Sequence, residues 1–98
     1  MFLSKRVSSF LTVIEAKSFS RAAELLYVSS PALIQQINLL EDEIGVPLLI
    51  RTKRGVQPTA AGEVFYEAMK AVSADIGLAV EKTRRSGHES KAGNPASL

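Results

Sequence analysis

The sequence contains no cysteine, which removes disulfides and thiolate metal sites together and suits a reducing compartment. Its one histidine, His88, lies in a Gly/Ser/Asn/Pro-containing stretch with no Asp, Cys or second His nearby to orient it. There is no Gly-rich phosphate loop, no metal-ligand spacing and no pair of carboxylates in a plausible cleft. A catalytic site, a metal and a cofactor are therefore all unexpected, and the chain does not describe an enzyme. No apolar run approaches the ~18 residues of a membrane span. The start, Met1-Phe2-Leu3-Ser4-Lys5-Arg6, turns polar too early for a signal-peptide core, so no membrane association and a cytoplasmic location are expected. Charge of one sign is also scarce, with a formal net of only +2.

What remains is an ordinary globular composition, 46% apolar and 22% charged over 98 residues, which fits one domain. Leu3, Val7, Phe10, Leu11 and Ile14 recur with a helical period and predict a first helix from about Ser4, its N-cap, to Ala16. Lys17-Ser18-Phe19-Ser20 interrupts it. Ser20 is placed to cap a short second helix, Arg21 to Leu26, whose Ala22-Ala23 pair allows another helix to cross closely. Ser29 or Ser30 caps a third helix with Pro31 in its first turn, where a missing N–H costs nothing. Leu33, Ile37, Leu40 and Ile44 form its buried stripe, and Gly45 ends it in a left-handed cap. Two helices joined by so short a turn carry the helix-turn-helix signature.

Leu48–Arg51 and Val56–Pro58 read as two short strands around the basic turn Thr52-Lys53-Arg54-Gly55. Thr59 caps a fourth helix that can run to about Arg85 without meeting a proline. At ~1.5 Å per residue it would reach about 40 Å, more than so small a core can cover. The expected architecture is mainly α: a winged helix-turn-helix of three helices plus a small β-hairpin wing over 1–58, then a long dimerisation helix over 59–85. Residues 86–98, with their Gly, Asn, Pro and Ser, are expected to be a disordered tail.

Three constellations bear on function. With Leu33, Ile37 and Leu40 taken as inward, Pro31, Ile34, Gln35 and Asn38 project outward, and no charged side chain occurs from Ser29 to Leu40. A helix that enters a DNA groove has reason to exclude acids there, and its N-terminal amides favour nearby phosphate. Gln35 can pair bidentately with adenine, Asn38 can bond base edges or phosphate, and Ile34 or Ala32 can touch a thymine methyl. Ser29 and Ser30 belong to the same helix start. Secondly, Arg51, Lys53 and Arg54 are the only charges between Ile44 and Gly62 and suit phosphate or the minor groove, although a basic turn alone equally describes a solvated loop. Thirdly, Ala61, Phe65, Ala68, Val72, Ile76, Ala79 and Thr83 follow a coiled-coil-like spacing on the fourth helix. Phe65, Ala68, Val72, Ile76 and Ala79 are the candidate dimerisation residues. The partners so implied are double-stranded DNA and a second copy of the chain.

The run from Ser18 to Ser29, with Pro31-Ala32-Leu33, Gln36-Ile37, Leu40-Glu41, Glu43-Ile44-Gly45-Val46, Leu48, Arg51-Thr52 and Thr59–Glu63, resembles the N-terminal signature of LysR-type transcriptional regulators. The resemblance covers about Val7 to Arg84. It implies bacterial, cytoplasmic proteins, bound to the nucleoid when engaged. In them the third helix enters the major groove, the wing meets backbone or minor groove, and the fourth helix links an antiparallel dimer. Such regulators usually have Gly where this chain has Lys17, Gln at Ser30, Ser at Ile34, Arg or Lys at Gln35 and a basic residue at Asn38. They also carry a C-terminal inducer-binding domain of about 200 residues, one to two further domains in size, with no counterpart before Leu98. A sequence-specific DNA-binding regulator without an effector pocket is therefore expected. The alternatives are a module that pairs with full-length relatives and modulates them, or a truncated remnant.

Overall fold

Serine hydroxyls start three of the helices, and left-handed residues end them. In the computed structural model, which describes residues 4–93 and the side chains of 4–88, Ser4 caps α1 (Lys5–Ala16) by accepting from the Val7 amide. Ser18 caps α2 (Phe19–Leu26) through Arg21, and Ser29 caps α3 (Ser30–Ile44) through Ala32. The second helix thus begins at Phe19 rather than Arg21, with Ser18 and not Ser20 as its cap. Starting there turns the Phe19 ring onto the core. Lys17, Tyr27 and Gly45 close the three helices with φ of 59°, 57° and 95°. Lys17 in this region is disfavoured by about 1 kcal/mol relative to glycine.

The three helices pack around Phe10, Val13, Ala22, Ala23, Leu33, Ile37 and Leu40, and the hairpin adds Leu48 and Val56. Ala22 and Ala23 are buried, as their small size at a helix crossing requires. Ile44 departs from its expected place in the stripe. It is 41% exposed, because residues 42–47 all lie in solvent where the last turn of α3 outruns the core. Leu3 lies outside the described residues.

The antiparallel hairpin joins β1 (Leu49–Thr52) to β2 (Gly55–Pro58), pairing Thr52 with Gly55 and Arg51 with Val56. Thr59 then fastens the start of α4 (Ala60–Gly93). Its amide donates to the Leu48 carbonyl, its hydroxyl donates to the Pro47 carbonyl and accepts from the Gly62 amide. Only the first turns of α4 rest on the domain, with Ala61, Phe65 and Tyr66 against the core and the Phe65 ring 5.4 Å from that of Phe10. The helix runs past Arg85 to Gly93, so 86–93, expected as disordered tail, is helical; 94–98 lies outside the described residues. A 34-residue helix is about 50 Å long. It gives the molecule a 59 Å long axis and a radius of gyration of 17.7 Å, against about 13 Å for a compact domain of this length. Among the described residues no helix is long and apolar enough to cross a membrane.

Candidate nucleic-acid interface

The helical period of α3 fixes what faces outward. Leu33, Ile37 and Leu40 are buried, and Gln36 is tied to α1 by accepting from the Ser9 hydroxyl. The opposite face then carries Pro31, Gln35 and Asn38, all exposed, with Ser29 exposed at the cap. Ser30, Ala32 and Ile34 are half-buried along its flank. Between Ser29 and Leu40 this face bears amide, hydroxyl and apolar groups and no ionic charge. A surface so composed offers donors and acceptors for base edges without an acid to repel phosphate.

The wing stands beside it through bonds of long sequence separation. The Glu41 carboxylate accepts from the Leu48 and Leu49 amides at 2.7 and 3.1 Å, clamping the base of the hairpin to the end of α3. Glu41 is half-buried and structural, a role not read from the sequence. The signal lay in the spacing, since position 41 is eight residues after Leu33 and four after Ile37, on the edge of the buried stripe. At the other end of the hairpin the Val56 amide donates to the Lys17 carbonyl at 3.2 Å. Gly55, with φ of +117°, lies so close to that carbonyl that a Cβ would approach it to 2.5 Å. The Thr52 hydroxyl accepts from the Arg54 amide and donates to the Gly55 carbonyl, so the tip Lys53-Arg54 is braced from within. Arg51 stacks over the Phe19 ring, 4.7 Å from guanidinium to centroid. Arg51, Lys53 and Arg54 are exposed, and none lies within 4 Å of a carboxylate among the described residues.

The candidate dimerisation residues divide into two groups. Phe65 is engaged by Phe10 of its own domain. Ile76 is half-buried in an open groove between α1 and α4, lined also by Leu11, Thr12, Ser73, Gly77 and Val80. Ala68, Val72 and Ala79 share an exposed face with Val64, and Leu78 is exposed beside it. The apolar surface of α4 that its own domain leaves open is thus Val64, Val72 and Leu78 together with the small residues between them.

The family model for "bacterial regulatory helix-turn-helix protein, lysR family" matches residues 4–63. The chain is 44% identical over 68 residues to the nitrogen assimilation regulatory protein nac of Escherichia coli (strain K12), covering 69% of this chain and 22% of that one. It is 51% identical over 75 residues to the HTH-type transcriptional regulator BudR of Raoultella terrigena, covering 76% and 26%. The chain therefore spans about a quarter of the length of these relatives. Among solved structures, the BenM DNA-binding domain in complex with catB site 1 DNA superimposes with a TM-score of 0.79 at 36% identity, over 86% of this chain and 92% of that one. The CbnR DNA-binding domain in complex with DNA gives 0.77 at 34%, over 85% and 95%.

Proposed function

The chain belongs to the LysR family of bacterial regulatory helix-turn-helix proteins, and from that membership we propose that it binds double-stranded DNA sequence-specifically, as a homodimer, to regulate transcription in the bacterial cytoplasm. The observation that carries the reading is the pairing of an uncharged outward face on α3 with three exposed, unpaired wing cations beside it. In this reading Gln35 and Asn38 meet base edges in the major groove, with Ala32 and Ile34 against thymine methyls. Ser29, Ser30 and Pro31 sit at the helix start, where amides favour phosphate. Arg51, Lys53 and Arg54 neutralise phosphates along the flanking backbone.

Pairing of two α4 helices through Ala68, Val72 and Ala79, with Ile76 and Phe65 at the margins, sets the spacing of two recognition helices. The open apolar face supports it, since burying it is favourable by about 25 cal/mol per Å². Two half-sites near one DNA turn of ~34 Å apart, or a multiple of it, follow from a two-fold arrangement.

The reading is tested by selecting bound fragments from sheared genomic DNA and by sedimentation of the free protein. A palindrome with half-sites at fixed separation is the expected product, and a dimer the expected species at tens of micromolar. Val72→Asp places a carboxylate on the exposed seam without touching the core, and yields monomers that lose the palindrome more than tenfold. Recovery of unrelated sequences would refute specific binding, and a wild-type monomer at that concentration would refute the dimer.

A further inference from the structure

We propose that Lys17 is a DNA-phosphate contact that extends the wing's cationic edge onto the turn between α1 and α2; the proposal rests on the duplex-DNA reading above. Residue 17 is fixed against the hairpin by its own backbone. Its carbonyl accepts the Val56 amide at 3.2 Å and is pressed by Gly55, the residue that follows Lys53 and Arg54 at the tip. From the same turn Phe19 holds the Arg51 guanidinium at 4.7 Å. Lys17, Arg51, Lys53 and Arg54 are thereby gathered along one edge of the molecule, all four exposed.

No carboxylate lies within 4 Å of any of them among the described residues, whereas Arg6, Arg21 and Arg85 each face one. The nearest acid in sequence, Glu15, is occupied by the Tyr66 hydroxyl at 3.1 Å. Four unpaired cations on one edge form a local positive field that complements the phosphates of a polyanion. The Lys17 side chain makes no hydrogen bond or ion pair within the described residues, yet it occupies a left-handed position (φ 59°) that favours glycine. It therefore strains the fold without contributing a hydrogen bond or ion pair to it among the described residues, and its ammonium is open to a phosphate beside the wing.

Fold and binding consequently separate in opposite directions on substitution. Lys17→Gly and Lys17→Gln are compared with wild type by fluorescence anisotropy on a mixed-sequence duplex over a series of NaCl concentrations, and by thermal unfolding. Both variants are expected to lower the slope of log affinity against log salt by about 0.9 per subunit, hence about 1.8 for the homodimer, the loss of one phosphate contact from each copy. Glycine is also expected to raise Tm by about 4–8 °C, while glutamine, which keeps the strain, leaves Tm unchanged. Lys17→Arg restores the wild-type slope. An unchanged slope in Lys17→Gln, with wild type still salt-dependent, would overturn the role of Lys17 and leave the DNA reading intact. A wild-type protein with no salt-dependent binding to duplex would overturn both.

Discussion

Replacing Glu41 by alanine removes a carboxylate that holds the hairpin to α3. Its Oε2 accepts from the Leu48 amide at 2.7 Å and the Leu49 amide at 3.1 Å. Hydrogen bonds to an ionised partner contribute about 1.5–3 kcal/mol each, and Glu41 is half-buried, so the lower value applies to both and the loss is about 3 kcal/mol. Two smaller effects oppose it. A negative charge near the C-terminal end of α3 is disfavoured by about 0.3–1 kcal/mol, and alanine is the better helix former by a few tenths. The clamp wins, leaving a net destabilisation of about 2 kcal/mol. With an unfolding entropy of roughly 0.2 kcal/mol per kelvin for a chain this long, Tm falls by about 10 °C. Glutamine retains a carbonyl acceptor and is expected to lose about half as much. Urea unfolding followed by circular dichroism gives the difference, and amide exchange at Leu48 and Leu49 is expected to accelerate in step with it. Glu41→Ala within 0.5 kcal/mol of wild type would refute the clamp. Glutamine as damaging as alanine would show that packing, not the acceptor, is responsible.

The remaining predictions concern specificity and the attachment of α4. Gln35→Arg is expected to shift the preferred base at its contact from adenine to guanine, by about 1–3 kcal/mol in a randomised-site selection, and an unchanged base would remove residue 35 from sequence reading. Gly62→Ala would drive a methyl into the Leu48 carbonyl, backbone against backbone, and is expected to destabilise the domain by about 3 kcal/mol, the upper end for overpacking; an unchanged urea midpoint would show that α4 is free to shift there.

Much of this fold was legible because local chemistry and global packing agree. Phe10 in the first stripe, Leu33, Ile37 and Leu40 in the third, the small Ala22-Ala23 crossing and the Ser4, Ser29 and Thr59 caps all fall where periodicity and capping put them. The start of α2 was not legible, since Ser18 and Ser20 are equally good caps by composition. Tertiary packing decides between them, because a helix that begins at Phe19 places that ring on the core and under Arg51. The end of α4 was misread for the opposite reason. Gly87 and the serines lower helix propensity by ~1 kcal/mol or less each, which slows no helix decisively, whereas the first true breaker, Pro95, comes only after Gly93. The i, i+4 pair Glu81–Arg85 also favours continuation.

The candidate interface divides along the same physical line. The outward placement of Pro31, Gln35 and Asn38 follows from the buried stripe of a single helix, so a 3.6-residue period suffices to find it. The position of Arg51, Lys53 and Arg54 is set by two contacts between elements, whose partners no local pattern pairs. One is a carboxylate that accepts from amides seven and eight residues later; the other is the Lys17 carbonyl, which accepts from an amide 39 residues later. In both the hairpin contributes only backbone amide donors, so its side chains carry no trace of them. Only Gly55 does, because its positive φ and close approach to the Lys17 carbonyl leave no room for a Cβ. A glycine read only as a turn former is therefore also the packing contact that seats the wing. The same contact turns residue 17, a helix terminus in sequence, into a neighbour of the cationic tip.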